Sequence, residues 1–356
     1  MRRGQVKLAA PGGSGPTRRE LLGAAAAAAV GAFVGPVRGS VVASPASQSA
    51  TRPTPHPTSQ TMAAGAVPRP WWLGASFPRS RVVRVMSTQV LRVAGGDGVV
   101  LREMLDLGLQ VLTGERTSSD AWHSVLGSAR HTVLKFNQVG AEVLGTNDAV
   151  GTALGESLRD AGYEPGTLTL VEAPARLTRE LGTRVAEPGW GTSIPIGGGT
   201  EELAAYLLAA DAVVNVPLLK THRLAGMSGA LKNLSHAVIR HPARYHDHGC
   251  APYVGQVVGN KEVSGRLRVT IVNALRLVVR NGPDARADDV VPFGGLLLGF
   301  DPVALDAVGL ELLEEQGRKL AVETPLRIPY LEAAAEDAVG RRAPAELDHV
   351  VARHGA

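Results

Sequence analysis

The sequence predicts an α/β fold: a mostly parallel sheet flanked by helices, in a single compact domain. Two observations carry this. Short runs rich in Val, Leu and Ile alternate with helix-period segments from Val82 to Glu315. The chain has 356 residues, 44% of them hydrophobic, which is ample for a sheet buried on both faces. With aromatics at 4% and 42 glycines, that core must rest on aliphatic side chains and close backbone approach.

In order, Val82–Met86 reads as a strand and Val100–Leu112 as an amphipathic helix. Thr132–Phe136 is a short apolar strand. Asn147 is placed to cap a helix running to Ala161 and stopped by Gly162. Leu168–Glu172 is the next strand. Thr200 is expected to cap a helix over Glu201–Ala210, followed by a buried strand over Asp211–Val216 that ends at Pro217. Leu267–Val272 and Gly295–Gly299 are further strands, and Asp301–Glu315 a helix. In such sheets ligands bind beyond the carboxyl ends of strands. Lys135 and Asn137, then Lys220, Thr221 and His222, then Asn273 stand at three such ends.

Residues 1–43 have a different character. Thr17-Arg18-Arg19-Glu20-Leu21-Leu22 precedes an apolar run to Val34, too short for a comfortable membrane span but right for a signal-peptide core. Val41-Val42-Ala43 offers small residues for cleavage. The paired arginines before two leucines resemble the twin-arginine signal, which implies the translocation machinery as a partner and export to the periplasm, cell envelope or medium. Residues 44–68, rich in Ser, Pro and Thr, read as a disordered linker, and the α/β domain as residues 69–356. The leader holds six cationic side chains against Glu20 alone. Removing it takes the formal +4 of the chain to about −1, so bulk charge makes no case for nucleic-acid binding. No later run spans a membrane. Cys250 is the sole cysteine, which excludes an internal disulfide and an iron–sulfur cluster held by four thiolates of this chain.

The chemistry concentrates between Lys220 and Cys250. A hydrophobic strand delivers Lys220, Thr221 and His222, a loop follows through Gly226, Ser228 and Gly229, and Lys232-Asn233 closes the segment. Glycines allow close backbone approach, and their N–H groups with two lysines suit a carboxylate or phosphate. Lys220, His222 and Lys232 are the candidate catalytic groups. Lys135, Asn137, Thr221, Gly226, Ser228, Gly229 and Asn233 are the candidate binding groups. The alternative is a solvated basic loop. Downstream, His246, His248 and Cys250 occupy alternate positions, which share a face in an extended segment. Imidazole with thiolate suits zinc, copper or nickel; the alternative is a polar loop. Gly197-Gly198-Gly199 before Thr200 has neither phosphate-loop nor dinucleotide spacing, so a structural turn is the better reading. Asp301 reads as a helix cap.

Val133-Leu134-Lys135-Phe136-Asn137, Lys220-Thr221-His222, Lys232-Asn233, Arg240, His246, and Asp301 through Asp306 together resemble the domain of unknown function 362 family over roughly residues 80–340. That name implies no reaction. Some members carry a ferredoxin-like cluster domain, from which this chain departs. The segment His222 to Lys232 also resembles part of the nickel-pincer lactate racemase family. That likeness implies Lys232 as the cofactor-bearing lysine, His222 as an acid/base and His248 as a nickel ligand, with reversible hydride removal from a 2-hydroxy acid. The expectation is an exported enzyme binding a small anionic substrate or cofactor at a Lys/His cleft, with a metal (nickel or zinc) or redox link as an open option. The alternative is an exported metal- or cofactor-binding protein without turnover.

Overall fold

Alternation along each strand sets the layers of the molecule. In the computed structural model, which describes residues 69–323 and 325–355, adjacent strand residues enter different cores. Val82, Val133 and Val213 pack on one face of the sheet, while Val83, Leu134 and Val214 pack on the other. The first core is closed by Pro302–Gly317, Ala230–Ser235 and Tyr253–Gly259. The second is closed by the helices Gly98–Thr113, Ser118–Leu126 and Asn147–Asp160. The leader expected at 1–43 and the linker expected at 44–68 lie outside the described residues.

The strands are β1 (Ser80–Met86), β2 (Thr132–Lys135), β3 (Leu168–Val171), β4 (Arg184–Val185), β5 (Trp190–Ile196), β6 (Gly199–Ala204), β7 (Ala212–Asn215), β8 (Leu218–His222), β9 (Gly226–Ser228), β10 (Leu267–Val278), β11 (Val290–Gly299) and β12 (Leu347–Arg353). The main sheet runs β12-β1-β11-β10-β7-β2-β3-β4, with β8 and β9 branching from β10. Pairing is parallel from β10 through β7, β2 and β3 to β4, between β10 and β8, and between β1 and β12. It is antiparallel where β11 joins β10 and β1, and between β8 and β9. Among the described residues no helix is long and apolar enough to cross a membrane.

Most expected elements are present, and two differ for identifiable reasons. The helix expected at Glu201–Ala210 is β6, which pairs with β5 as a hairpin; only Ala205–Leu208 is helical. Ile196 faces Gly199, so Gly197-Gly198 forms a two-residue turn with φ of 58° and 81°. Consecutive glycines are what such a turn demands, and the structural reading of that motif is the correct one. Asn147 is not the expected cap. Its amide donates to the Asn137 carbonyl at 2.8 Å, while Thr146 occupies the cap position. Asp301 does cap its helix, accepting from Val303 N at 2.9 Å and Ala304 N at 3.2 Å.

Candidate functional site

The carboxyl ends of β2, β3 and β7 are level, because β2 pairs in register with both neighbours. Beyond those ends the chain passes Pro217 into β8, which keeps the direction of β7, pairs with β10 further along and carries Lys220 and His222 past the ends of the shorter strands to the cleft. Lys220 faces Ser228 and His222 faces Gly226 across the β8–β9 pair. The result is a cleft of about 320 Å³, lined by Lys135, Asn137, Glu172, Lys220, His222, Ser228, Lys232, Asn233, His236 and His246 among others. That volume is within the range of small-molecule sites. A hollow of about 440 Å³ beside Trp72 and Phe300 carries fewer available groups: Asp301 is a helix cap and Arg81 pairs with Asp348.

The three lysines differ in what remains free. Lys135 is fully buried and donates to Phe136 O (2.8 Å), Asn233 Oδ1 (2.8 Å) and Glu172 Oε2 (3.0 Å), using all three of its N–H bonds. Lys220, 1% exposed, donates to Asn137 Oδ1 at 3.0 Å and to the Val139 carbonyl, leaving one. Lys232, 8% exposed, has no side-chain partner among the described residues. Asn137 and Asn233 are joined to each other at 3.1 Å and hold Lys220 and Lys135 respectively, so they position the lysines. Burial lowers the pKa of all three amines. For Lys220 burial is the largest cause and Lys232 the next, and together they bring it to about 7.

His222 is held as a neutral donor. Its Nδ1 accepts from Leu224 N (3.3 Å) and Ala225 N (3.2 Å), so the ring proton sits on Nε2. Burial, followed by the charge of Lys232, takes its pKa to about 3. The ring stacks on His246 with centroids 5.9 Å apart. His246 sits on a loop pinned from below by buried Glu201, which pairs with His241 at 2.9 Å and accepts from the Tyr245 hydroxyl at 3.3 Å. The hairpin strand β6 that supplies Glu201 thereby sets the place of the histidine loop.

Several expected site residues lie elsewhere. Alternation along β8 turns Thr221 away from the cleft, where its Oγ accepts from Gly282 N at 3.3 Å. Gly226 has φ 79°, and a Cβ there would stand 2.2 Å from the Arg327 carbonyl, so it serves packing. The N–H groups beyond Gly229 are taken: the Asp306 carboxylate accepts from Ala230 N at 2.6 Å and Leu231 N at 3.1 Å. The acceptor held by that loop is the protein's own Asp306 side chain, whose pKa burial raises to about 7. Asn273 lies within β10 and bonds to Thr146 and Asn147. Residues 242–245 and 247–250 form two successive turns of 3-10 type, so the segment from His246 to Cys250 is not an extended strand, and His248, at φ 52°, is exposed. His246 and Cys250 instead gather with His236. Reading the chain missed Glu172 and His236. Glu172 directly follows a strand, the rule that found Lys135. His236 stands one helical turn after Lys232, on the same face.

The chain belongs to the family described as Domain of unknown function (DUF362), whose profile matches residues 133–311. That span contains every lysine and histidine lining the cleft. Among solved structures, the fold is similar to the lactate racemase apoprotein from Thermoanaerobacterium thermosaccharolyticum at 10% identity, over 67% of this chain and 58% of that one, with a TM-score of 0.38. It is also similar to a protein from Thermotoga maritima at 14% identity, over 67% and 63%, with a TM-score of 0.34. The chain thus spans less than two thirds of either neighbour. No curated protein matches it. The residues do not fit the nickel-pincer arrangement expected from His222 to His248. Lys232 lines the cleft, but the position for the metal ligand, His248, falls on an exposed side chain outside it.

Proposed function

We propose that this protein is an exported enzyme that binds a small carboxylate or phosphate in the Lys220–Lys232 cleft and transfers a proton on it. The observation that carries the reading is an imbalance of charge: three lysines line the cleft against one carboxylate, Glu172, which is already committed to Lys135. Lys232 and the free N–H of Lys220 remain for an anion. In a partly dry cleft such charge-assisted bonds are the strong ones. Lys220, with a pKa of about 7, exchanges a proton readily at neutral pH. His222, neutral with its proton on Nε2, donates a hydrogen bond to a substrate oxygen, as a neutral histidine does in triosephosphate isomerase.

The test is anion binding by calorimetry, with sulfate and malonate as probes. Lys232→Met should weaken binding by roughly 10- to 100-fold, the worth of one hydrogen bond to a charged group at about 1.5–3 kcal/mol. Unchanged binding in a variant that melts like the parent would overturn the proposal. The export part rests on Arg18-Arg19-Glu20-Leu21-Leu22 and the apolar run behind it.

A further inference from the structure

We propose that His236, His246 and Cys250 form a binding site for a zinc-class divalent ion, with its open coordination position facing the lysine cleft. One donor atom from each residue lies within 4.8 Å of the other two. Around such an ion, with bonds of about 2.0–2.3 Å, ligand atoms stand ~3.3–3.7 Å apart, so small rotations about side-chain bonds complete the set. The two imidazole rings already meet edge to face, with centroids 4.5 Å apart. Two imidazoles and a thiolate suit zinc and cobalt and disfavour magnesium or calcium.

The three residues come from separate turns that the fold brings together. His236 caps the end of Ala230–Ser235, His246 lies between two 3-10 turns, and Cys250 ends the second, completely buried. His236 has an outer partner of the kind that orients metal-bound imidazoles: one of its ring nitrogens is 3.3 Å from the Tyr245 carbonyl. The other His236 nitrogen meets Ser235 Oγ at 2.9 Å, and that hydroxyl has a second acceptor in the Lys232 carbonyl at 3.2 Å.

His236 and His246 line the cleft, whereas Cys250 does not. Three protein ligands with the fourth position toward a cavity is the arrangement of a reactive metal site, as opposed to a closed structural one. The thiolate offsets part of the ion's charge, and an anion on Lys232 and Lys220 offsets the rest. Metal and anion should therefore strengthen each other's binding. This last step rests on the anion reading above; the metal site itself does not.

The experiment is titration of the metal-stripped full chain with Co2+, followed by absorbance. One equivalent should produce a near-ultraviolet thiolate-to-cobalt band, displaced by Zn2+. Cys250→Ser should abolish the band. His236→Gln and His246→Gln should weaken Co2+ binding roughly tenfold or more, while His248→Gln should leave it unchanged. His246 is only part-buried, so its variant tests the site even if replacing Cys250 disturbs folding. A folded parent protein with no such band overturns the proposal, as does loss of the band in His248→Gln with retention in His236→Gln. A cobalt band without sulfate binding would sink the anion reading and keep the metal site; sulfate binding without the band would do the reverse.

Discussion

Raising the pH from 7 to 9 should loosen an anion held in the cleft by up to about a hundredfold. Burial and the neighbouring Lys232 bring Lys220 to a pKa of about 7 in the free protein. An anion in contact favours the ammonium form and raises that value in the complex. Affinity is therefore fully present below about pH 7 and declines as pH rises, until pH reaches the raised pKa of the complex. Each unit in that window costs about 1.4 kcal/mol, so two units cost about 2.7 kcal/mol. Calorimetry with sulfate at constant ionic strength isolates the effect, because the charge on sulfate is the same throughout. Lys220→Gln should bind more weakly at pH 7 and lose the slope between pH 7 and 8. A flat curve for the parent protein, or the same slope in the variant, would refute the reasoning.

Three further outcomes are expected. Asp306→Ala strips two buried N–H groups at the start of Ala230–Ser235 of their acceptor and should cost about 2–4 kcal/mol, read from the urea midpoint; Gly229→Ala should act similarly, since its Cβ would lie 2.2 Å from the Asp306 carboxylate. Nitrogen-15 spectra of His222 should show the proton on Nε2, with no second protonation between pH 5 and 8, and an imidazolium forming near pH 6.5 would contradict the hydrogen bonds to Nδ1. Replacing Arg18 and Arg19 together by Lys should abolish export of the chain, measured by fractionation of the producing cells; undiminished export would remove the twin-arginine assignment.

The cleft was legible where local rules sufficed. Strand-end placement found Lys135, Asn137 and Lys220, because the end of a buried parallel strand is where a polar side chain can meet a ligand without leaving the fold. It failed for Thr221 and Asn273. The chain continues into β8 beyond Pro217, so alternation sends Thr221 to the opposite face, and β10 runs on past Asn273 to Val278. The glycine loop was read as a cradle for an outside anion, yet Asp306, far along the sequence, fills it. A spacing argument could group His246 with Cys250 but wrongly added His248, because alternate positions share a face only in extended backbone and this segment coils.

The sequence by itself determined the layers of the molecule, since the period of its apolar residues dictates which side chains leave water and to which face of the sheet they go. It also determined that cations and imidazoles would be plentiful between Lys220 and Cys250. Only the tertiary structure decided which of them share a hollow. Contacts such as Asp306 with Ala230, Glu201 with His241, or His236 with Cys250 depend on the angles at which distant turns are packed. No local pattern of residues encodes those angles, because they are set by the fit of whole helices and hairpins against the sheet.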